Sequence, residues 1–205
     1  MFDARSERLE TTPAWFAHLR YFSASCITAL LTLIWHHRWE QANDGTPRRG
    51  LFDGLCHLGT ALAVALPVLP YVRDRGGFLR LALLSAVVID LDHVAAARSV
   101  RLERTMTMEH RPVSHSLLAP LLAAALAEHW RPRRHLGLAM LLGLGSHLLR
   151  DLGTGGAPIV HPHRIVSIPN PVMVMLLGAL ALLSRTATRL ALGAHLLRPL
   201  AQEAP

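Results

Sequence analysis

The sequence predicts an all-α fold, an integral membrane helical bundle of about five to six transmembrane helices. Three observations predict it. Of the 205 residues, 51% are hydrophobic and 17% charged, and the mean hydropathy is +0.31. The apolar residues gather into runs close to the ~20 that a helix needs to cross a bilayer. The basic residues, all 21 of them Arg, punctuate the ends of those runs, where a long cation reaches the interface while its stem stays in apolar surroundings.

The first segment runs from about Tyr21 to Trp39, and its second half carries His36, His37 and Arg38. The second runs from Gly54 to Val72, the third from Phe78 to Ala97 and the fourth from Val113 to Trp130. Pro112 suits a first helical position, so the fourth helix is expected to start there, with His115 in its first turns. The fifth runs from His135 to Leu152. The sixth begins near Val172 and reaches Ser184 or, past Arg185 and Arg189, Leu197. Trp15, Trp35, Trp39 and Trp130 fall at segment ends, as in an aromatic belt. Between Gly153 and Pro171, a concentration of Gly and Pro predicts a structured loop without regular helix. The chain thus divides into a polar N-terminal segment (1–20), an accessory first transmembrane segment and loop (21–52), a membrane core (53–165) and a C-terminal helix with its tail (166–205).

A net charge of +7 and a pI near 11.1 raise the question of nucleic acid. The Arg residues form no basic stripe interleaved with aromatics, so no nucleic-acid partner is expected. Cys26 and Cys56 both lie inside apolar runs, form no CxxC motif, and read as buried thiols. The polar, partly acidic start is not that of a cleavable signal peptide.

Four clusters of metal-ligand residues interrupt the apolar runs: Asp53 with His57, Asp90-Leu91-Asp92-His93, His110 with His115, and His147 with Asp151. Ionisable groups in or near lipid are costly and point to function. Alternating helix directions bring all four to one membrane face. Asp53 and His57 are four apart, as are His147 and Asp151, while Asp90 and His93 are three apart. On a helix these offsets put both side chains on one face. Each pair can therefore aim two ligands at a point between helices, as carboxylate and His ligands do in helical-bundle metal sites. Imidazole with carboxylate suits a divalent metal, Zn first, with Mn or Fe as alternatives. The ligand surplus accommodates one or two ions, or supports around one ion. Arg111, beside His110, suits an anionic substrate group. His36 and His37 read as interfacial anchors, and His161 and His163 as residues of the Pro-rich loop.

The ordered set DGLCH, IDLDH, HRPVSHSLL and GSHLLRDLGTGGAP resembles the YdjM-like family of inner-membrane, metal-dependent hydrolases, also described as LexA-binding. That family's pattern is D-x-x-x-H, then D-x-D-H, H-R-x-x-T-H-S, and S-H-x-x-x-D-x-x-T followed by glycines and prolines. Asp53, His57, Asp90, Asp92, His93, His110, Arg111, His115, Ser116, Ser146, His147, Asp151 and Thr154 match it. Ser114 stands where the pattern has Thr, and Ile89 where Pro is common. The matched stretch spans about Asp53 to Arg164, so the first segment is an addition to it.

The resemblance implies a membrane-embedded, metal-dependent hydrolase; a metal-activated water is the expected nucleophile, and a site at the interface beside Arg111 favours an ester or phosphoester of a lipid-like or anionic substrate. Asp53, His57, Asp90, Asp92, His93, His115, His147 and Asp151 are the expected metal ligands or their supports. His110 is expected to transfer protons and Arg111 to hold the substrate. Membrane lipids are the expected partners. The alternatives are a transporter or ion pathway using the same polar groups, and a regulatory scaffold. The distribution of Arg between the two faces favours an inside N-terminus, and hence a site on the outer face of the inner membrane.

Overall fold

The computed structural model describes residues 14–106, 108, 111–130, 135–159 and 164–202. Helix α1 spans Ala14–Glu40 and α2 spans Pro47–Ala65, continuing as a 3-10 turn through Leu66–Tyr71. Helix α3 is Arg75–Val88, followed by the short α4 (Leu91–Ala97) and α5 (Leu102–Met106). A 3-10 turn at Val113–His115 precedes α6 (Leu118–Trp130), and α7 is Leu136–Thr154. A two-residue strand β1 (Ala157–Pro158) pairs antiparallel with β2 (Ile165–Val166), and α8 runs from Asn170 to Gln202.

Helix α7 is central, packing against α2, α3, α6 and α8, while α1 lies along α2. The core between them is apolar, built from residues such as Val64, Val68, Leu69, Phe78, Ala82, Leu142, Met173 and Leu177. Gly143 lets α7 approach α3, because a Cβ there would collide with the Ser85 hydroxyl and the Ala82 carbonyl. The outward faces are also apolar: Leu30, Leu33 and Ile34 on α1, Leu122 and Leu126 on α6, and Met175, Leu183 and Leu190 on α8 are exposed. Apolar rows turned outward on several helices suit a lipid surround.

Several boundaries differ from the sequence expectation. Helix α2 starts at Pro47, not Gly54, because the Thr46 hydroxyl accepts the Arg49 N–H at 3.3 Å and Pro47 occupies the first turn. Arg49 stays in that polar turn by donating to the carbonyls of Trp39 and Ala42, with its guanidinium 3.9 Å from the Trp39 ring centre. The expected third helix breaks at Ile89-Asp90, where Asp90 and Asp92 donate backbone N–H groups three residues back, to Val87 and Ile89. The fourth helix starts at Leu118, not Pro112, since the Leu117 N–H is engaged by the Ile159 carbonyl and His115 lies in the 3-10 turn. Cys56 is buried, but Cys26 faces outward on α1, which buries only its α2 side.

Two of the described helical stretches, Pro47–Tyr71 and Asn170–Leu190, are long and apolar enough to cross a membrane, rather than five to six. The breaks account for part of the difference, while α1 and α7, 27 and 19 residues long, carry His36, His37 and Arg38 and His147, Arg150 and Asp151 in their length. With 14 and 13 residues, α3 and α6 are about 20 Å long, short of a ~30 Å hydrocarbon layer.

Candidate metal centre

The described members of the four sequence clusters meet at one end of the bundle. Asp53 and His57 come from the N-terminal half of α2, and Asp90, Asp92 and His93 from the break between α3 and α4. His115 comes from the 3-10 turn before α6, and His147 and Asp151 from the last turns of α7. His57, His115, His147 and Asp151 are buried, whereas Asp53, Asp90, Asp92 and His93 are partly exposed.

The tightest convergence joins Asp90, His115, His147 and Asp151. His147 Nε2 lies 3.2 Å from His115 Nε2, 3.3 Å from Asp151 Oδ2 and 3.5 Å from Asp90 Oδ1. His115 Nε2 lies 3.4 Å from Asp90 Oδ1 and 3.8 Å from Asp151 Oδ2. Nitrogen and oxygen ligands about 2.0–2.2 Å from a tetrahedral ion are separated by roughly 3.3–3.6 Å. These five separations, 3.2–3.8 Å, bracket that range, so the residues could hold a metal ion.

The imidazoles are also oriented for one. His147 Nδ1 lies 2.7 Å from the Ala86 carbonyl, which can only accept, so Nδ1 carries the proton and Nε2 presents its lone pair. His115 Nδ1 lies 3.1 Å from Asp92 Oδ2, leaving Nε2 to face the centre. Asp92 thereby orients His115, as carboxylates orient metal-bound histidines. Ser114 donates its hydroxyl to the same carboxylate oxygen, a role that a Thr at this position would also fill. His93 Nδ1 lies 3.1 Å from the other oxygen, and its ring packs edge-on to His115.

Asp92 and His115 both lie outside the helices that reach across the bundle. Burial pushes the Asp92 carboxyl up, but hydrogen bonds from His115, His93 and Ser114 outweigh it and hold the group below the usual carboxylate range. Burial likewise lowers the His115 pKa, but hydrogen bonds to Asp90 and Asp92, with the charge of Asp151, raise it to about 9. Without a metal, a proton stabilises this imidazole among carboxylates.

Asp53 and His57 meet a partner that sequence reasoning missed. Arg150, 3% exposed, donates from Nη1 to Asp53 Oδ1 at 2.8 Å and to His57 Nε2 at 2.9 Å. The His57 lone pair is thus engaged, although Nε2 is also 3.7 Å from Asp151 Oδ1 and the ring stacks on His147. The signal was present in the sequence: a charge inside the apolar fifth segment, one residue before Asp151, is too costly there without a partner. Arg111 donates to Asp151 Oδ2 at 2.6 Å.

A cavity of about 560 Å³ opens onto the cluster, lined by Asp53, Asp90, His93, Arg111 and Asp151 on one side and Leu102, Met106 and Ile165 on the other. His110, His161 and His163 lie outside the described residues. His36 is 3.3 Å from Glu40 at the end of α1, apart from the cluster.

The model of the family described as YdjM inner membrane protein matches residues 52–199. No curated protein and no solved structure matches the chain. The family match begins after α1.

Proposed function

From the premise that the chain belongs to the YdjM inner membrane protein family, we propose that it is a membrane-embedded, metal-dependent hydrolase of an ester or phosphoester. The observation that carries this reading is the pair of buried imidazoles, His115 and His147. Their Nε2 atoms are 3.2 Å apart, and each ring is oriented from behind through Nδ1. Two rings turned towards each other with carboxylates at their side are arranged for a shared cation.

Charge supports one ion. Of the carboxylates Asp53, Asp90, Asp92 and Asp151, Asp53 pairs with Arg150 and Asp151 with Arg111. That leaves an excess of two negative charges, which a single divalent cation balances. His115, His147, Asp90 and Asp151 would hold it, with Asp92, His93 and Ser114 as the support of His115. Zn suits this donor set, and Mn or Fe are the alternatives.

When bound, the metal supplies Lewis acidity and an acidified water. Arg111, on the cavity wall and charge-paired with Asp151, is positioned to donate to an anionic substrate oxygen. His93 lines the cavity with Nδ1 3.1 Å from Asp92 Oδ1, so it can move a proton between cavity and site. Arg150 holds Asp53 and His57 in place behind the ligands.

The exposed apolar faces and the family both support an inner-membrane setting. The Arg distribution favours a site on the outer face.

Metal analysis of the purified protein, run beside a screen of phosphoester and lipid-ester substrates, tests the reading. The expected result is close to one equivalent of divalent metal and turnover abolished by chelation. Turnover that is indifferent to chelation would overturn it.

A further inference from the structure

A second cavity, separate from the polar one, reaches Arg150. It is an apolar groove of about 240 Å³ between α1, α2 and α8, lined by residues such as Ala29, Leu33, Ala63, Val64, Leu177 and Gly178. Its α8 wall runs from Met173 to Ala181, about 12 Å along the helix. Helices α2 and α8 are the two described elements long and apolar enough to cross a membrane. The groove is open sideways, with Leu33 54% and Val174 51% exposed, so in a bilayer it opens to the acyl chains.

Its hydroxyls are all used, and His36, which also lines it, lies 3.3 Å from Glu40. The hydroxyls of Ser25, Thr32 and Thr60 donate to the carbonyls of Ala63, Thr28 and Cys56. Arg150 differs. Its Nη1 is engaged by Asp53 and His57, but Nη2 is buried and has no hydrogen-bond partner among the described residues. A buried guanidinium N–H without an acceptor is expensive. Since Asp53 already matches the charge of Arg150, the missing partner is a neutral acceptor rather than a second anion.

We infer that the groove seats one acyl chain of a membrane glycerophospholipid, with the ester carbonyl oxygen of that chain accepting from Arg150 Nη2. The small side chains of Ala29, Ala63, Gly178 and Ala181 leave room for the chain. Packing and the single hydrogen bond hold it, since a chain that leaves surrounding lipid gains no hydrophobic energy. The seated ester then stands one side chain away from His57, at the back of the metal centre. The inference deepens the hydrolase reading and rests on it only for the fate of the ester. Seating of the lipid is measured without turnover.

The test uses the full chain in nanodiscs containing a phosphatidylcholine with a photoreactive acyl chain, and maps the cross-links. They are expected to concentrate on α2 and α8 residues of the groove. An ester-linked competitor should suppress them more strongly than its ether-linked counterpart, which lacks the carbonyl. Gly178→Leu is expected to lower groove cross-linking at least about tenfold by occupying the space, with metal content unchanged. A Cβ at Gly178 meets nothing within 4 Å, so the backbone there accepts a side chain, and unchanged metal content reports the fold. Labelling spread evenly over all outward faces, insensitivity to Gly178→Leu, or equal competition by ester and ether lipids would each overturn the inference. Normal groove labelling in a protein that hydrolyses nothing would overturn the hydrolase reading and leave the groove standing.

Discussion

His57 and His147 lie ring on ring, their centroids 3.7 Å apart and their planes 16° from parallel. Their neighbours differ. His147 offers Nε2 to the centre, whereas His57 Nε2 accepts from Arg150. His57 is therefore expected to act as a packing wall behind a ligand. His57→Phe keeps the stack and should retain the metal within about tenfold of wild-type affinity. His147→Ala should lose more than about 100-fold, beyond the usual cost of removing a group that only orients a ligand. Competition titration against a chromogenic chelator separates the two. Equal losses would make His57 a ligand as well.

The same logic ranks Asp92. It touches His115 through the nitrogen turned away from the centre, so Asp92→Asn leaves the four inner ligands in place while loosening one imidazole. A loss of about 10- to 100-fold in metal affinity is expected, with stoichiometry unchanged. A change in stoichiometry would mean that Asp92 and His93 hold an ion of their own.

The raised pKa of His115, about 9, sets a pH dependence. In the metal-free protein the proton on this imidazole contributes stability that is fully present below its unfolded value of about 6.5. That contribution is lost as pH rises through about 9. Thermal denaturation of the chelated protein should therefore fall progressively over this window, apart from effects of other groups. His115→Gln should flatten the slope. Metal uptake must displace the same proton, so apparent affinity should rise about tenfold per pH unit below 9, accompanied by proton release in weakly buffered solution.

The convergence of the described cluster residues at one end of the bundle was legible in the sequence because helix reversal and i,i+4 spacing are local rules. Asp53 with His57 and His147 with Asp151 do share helix faces as those rules require. The break at Asp90 and the late start of α6 were not legible. They depend on hydrogen bonds to distant partners, such as the Leu117 N–H to the Ile159 carbonyl. The pairing of Arg150 with Asp53, 97 positions away, was hidden for the same reason. Arg150 stands in the motif GSHLLRD, where the metal-ligand pattern drew attention to its neighbours.

Gly143 offers a test of how packing supports the site. It sits one turn before His147 on the face that touches α3, against Ser85 and the Ala82 carbonyl. The hydrogen bond from His147 to Ala86 crosses the same seam. Gly143→Val should push α3 and α7 apart, costing about 1–3 kcal/mol through overpacking and weakening metal binding through the lost Ala86 contact. Gly54→Ala, at a helical position with open space around its Cβ, is the control and should leave both unchanged. Full metal affinity in a folded Gly143→Val protein would show that His147 needs no support from α3.

Membrane orientation can be tested at two exposed positions at opposite ends of the bundle. Val100, beyond α4, lies on the site end and is 83% exposed, while Gly76 opens α3 at the other end and is also exposed. In a Cys26→Ser background, which removes the outward-facing thiol, each is replaced singly by Cys and treated in intact cells with a membrane-impermeant maleimide. Positive-inside placement of the Arg residues leads us to expect labelling of Val100→Cys and protection of Gly76→Cys until the membrane is broken. The reverse pattern would put the metal centre, and any substrate it takes, on the cytoplasmic side. Labelling of neither or both in intact cells would mean that these two ends do not face opposite compartments.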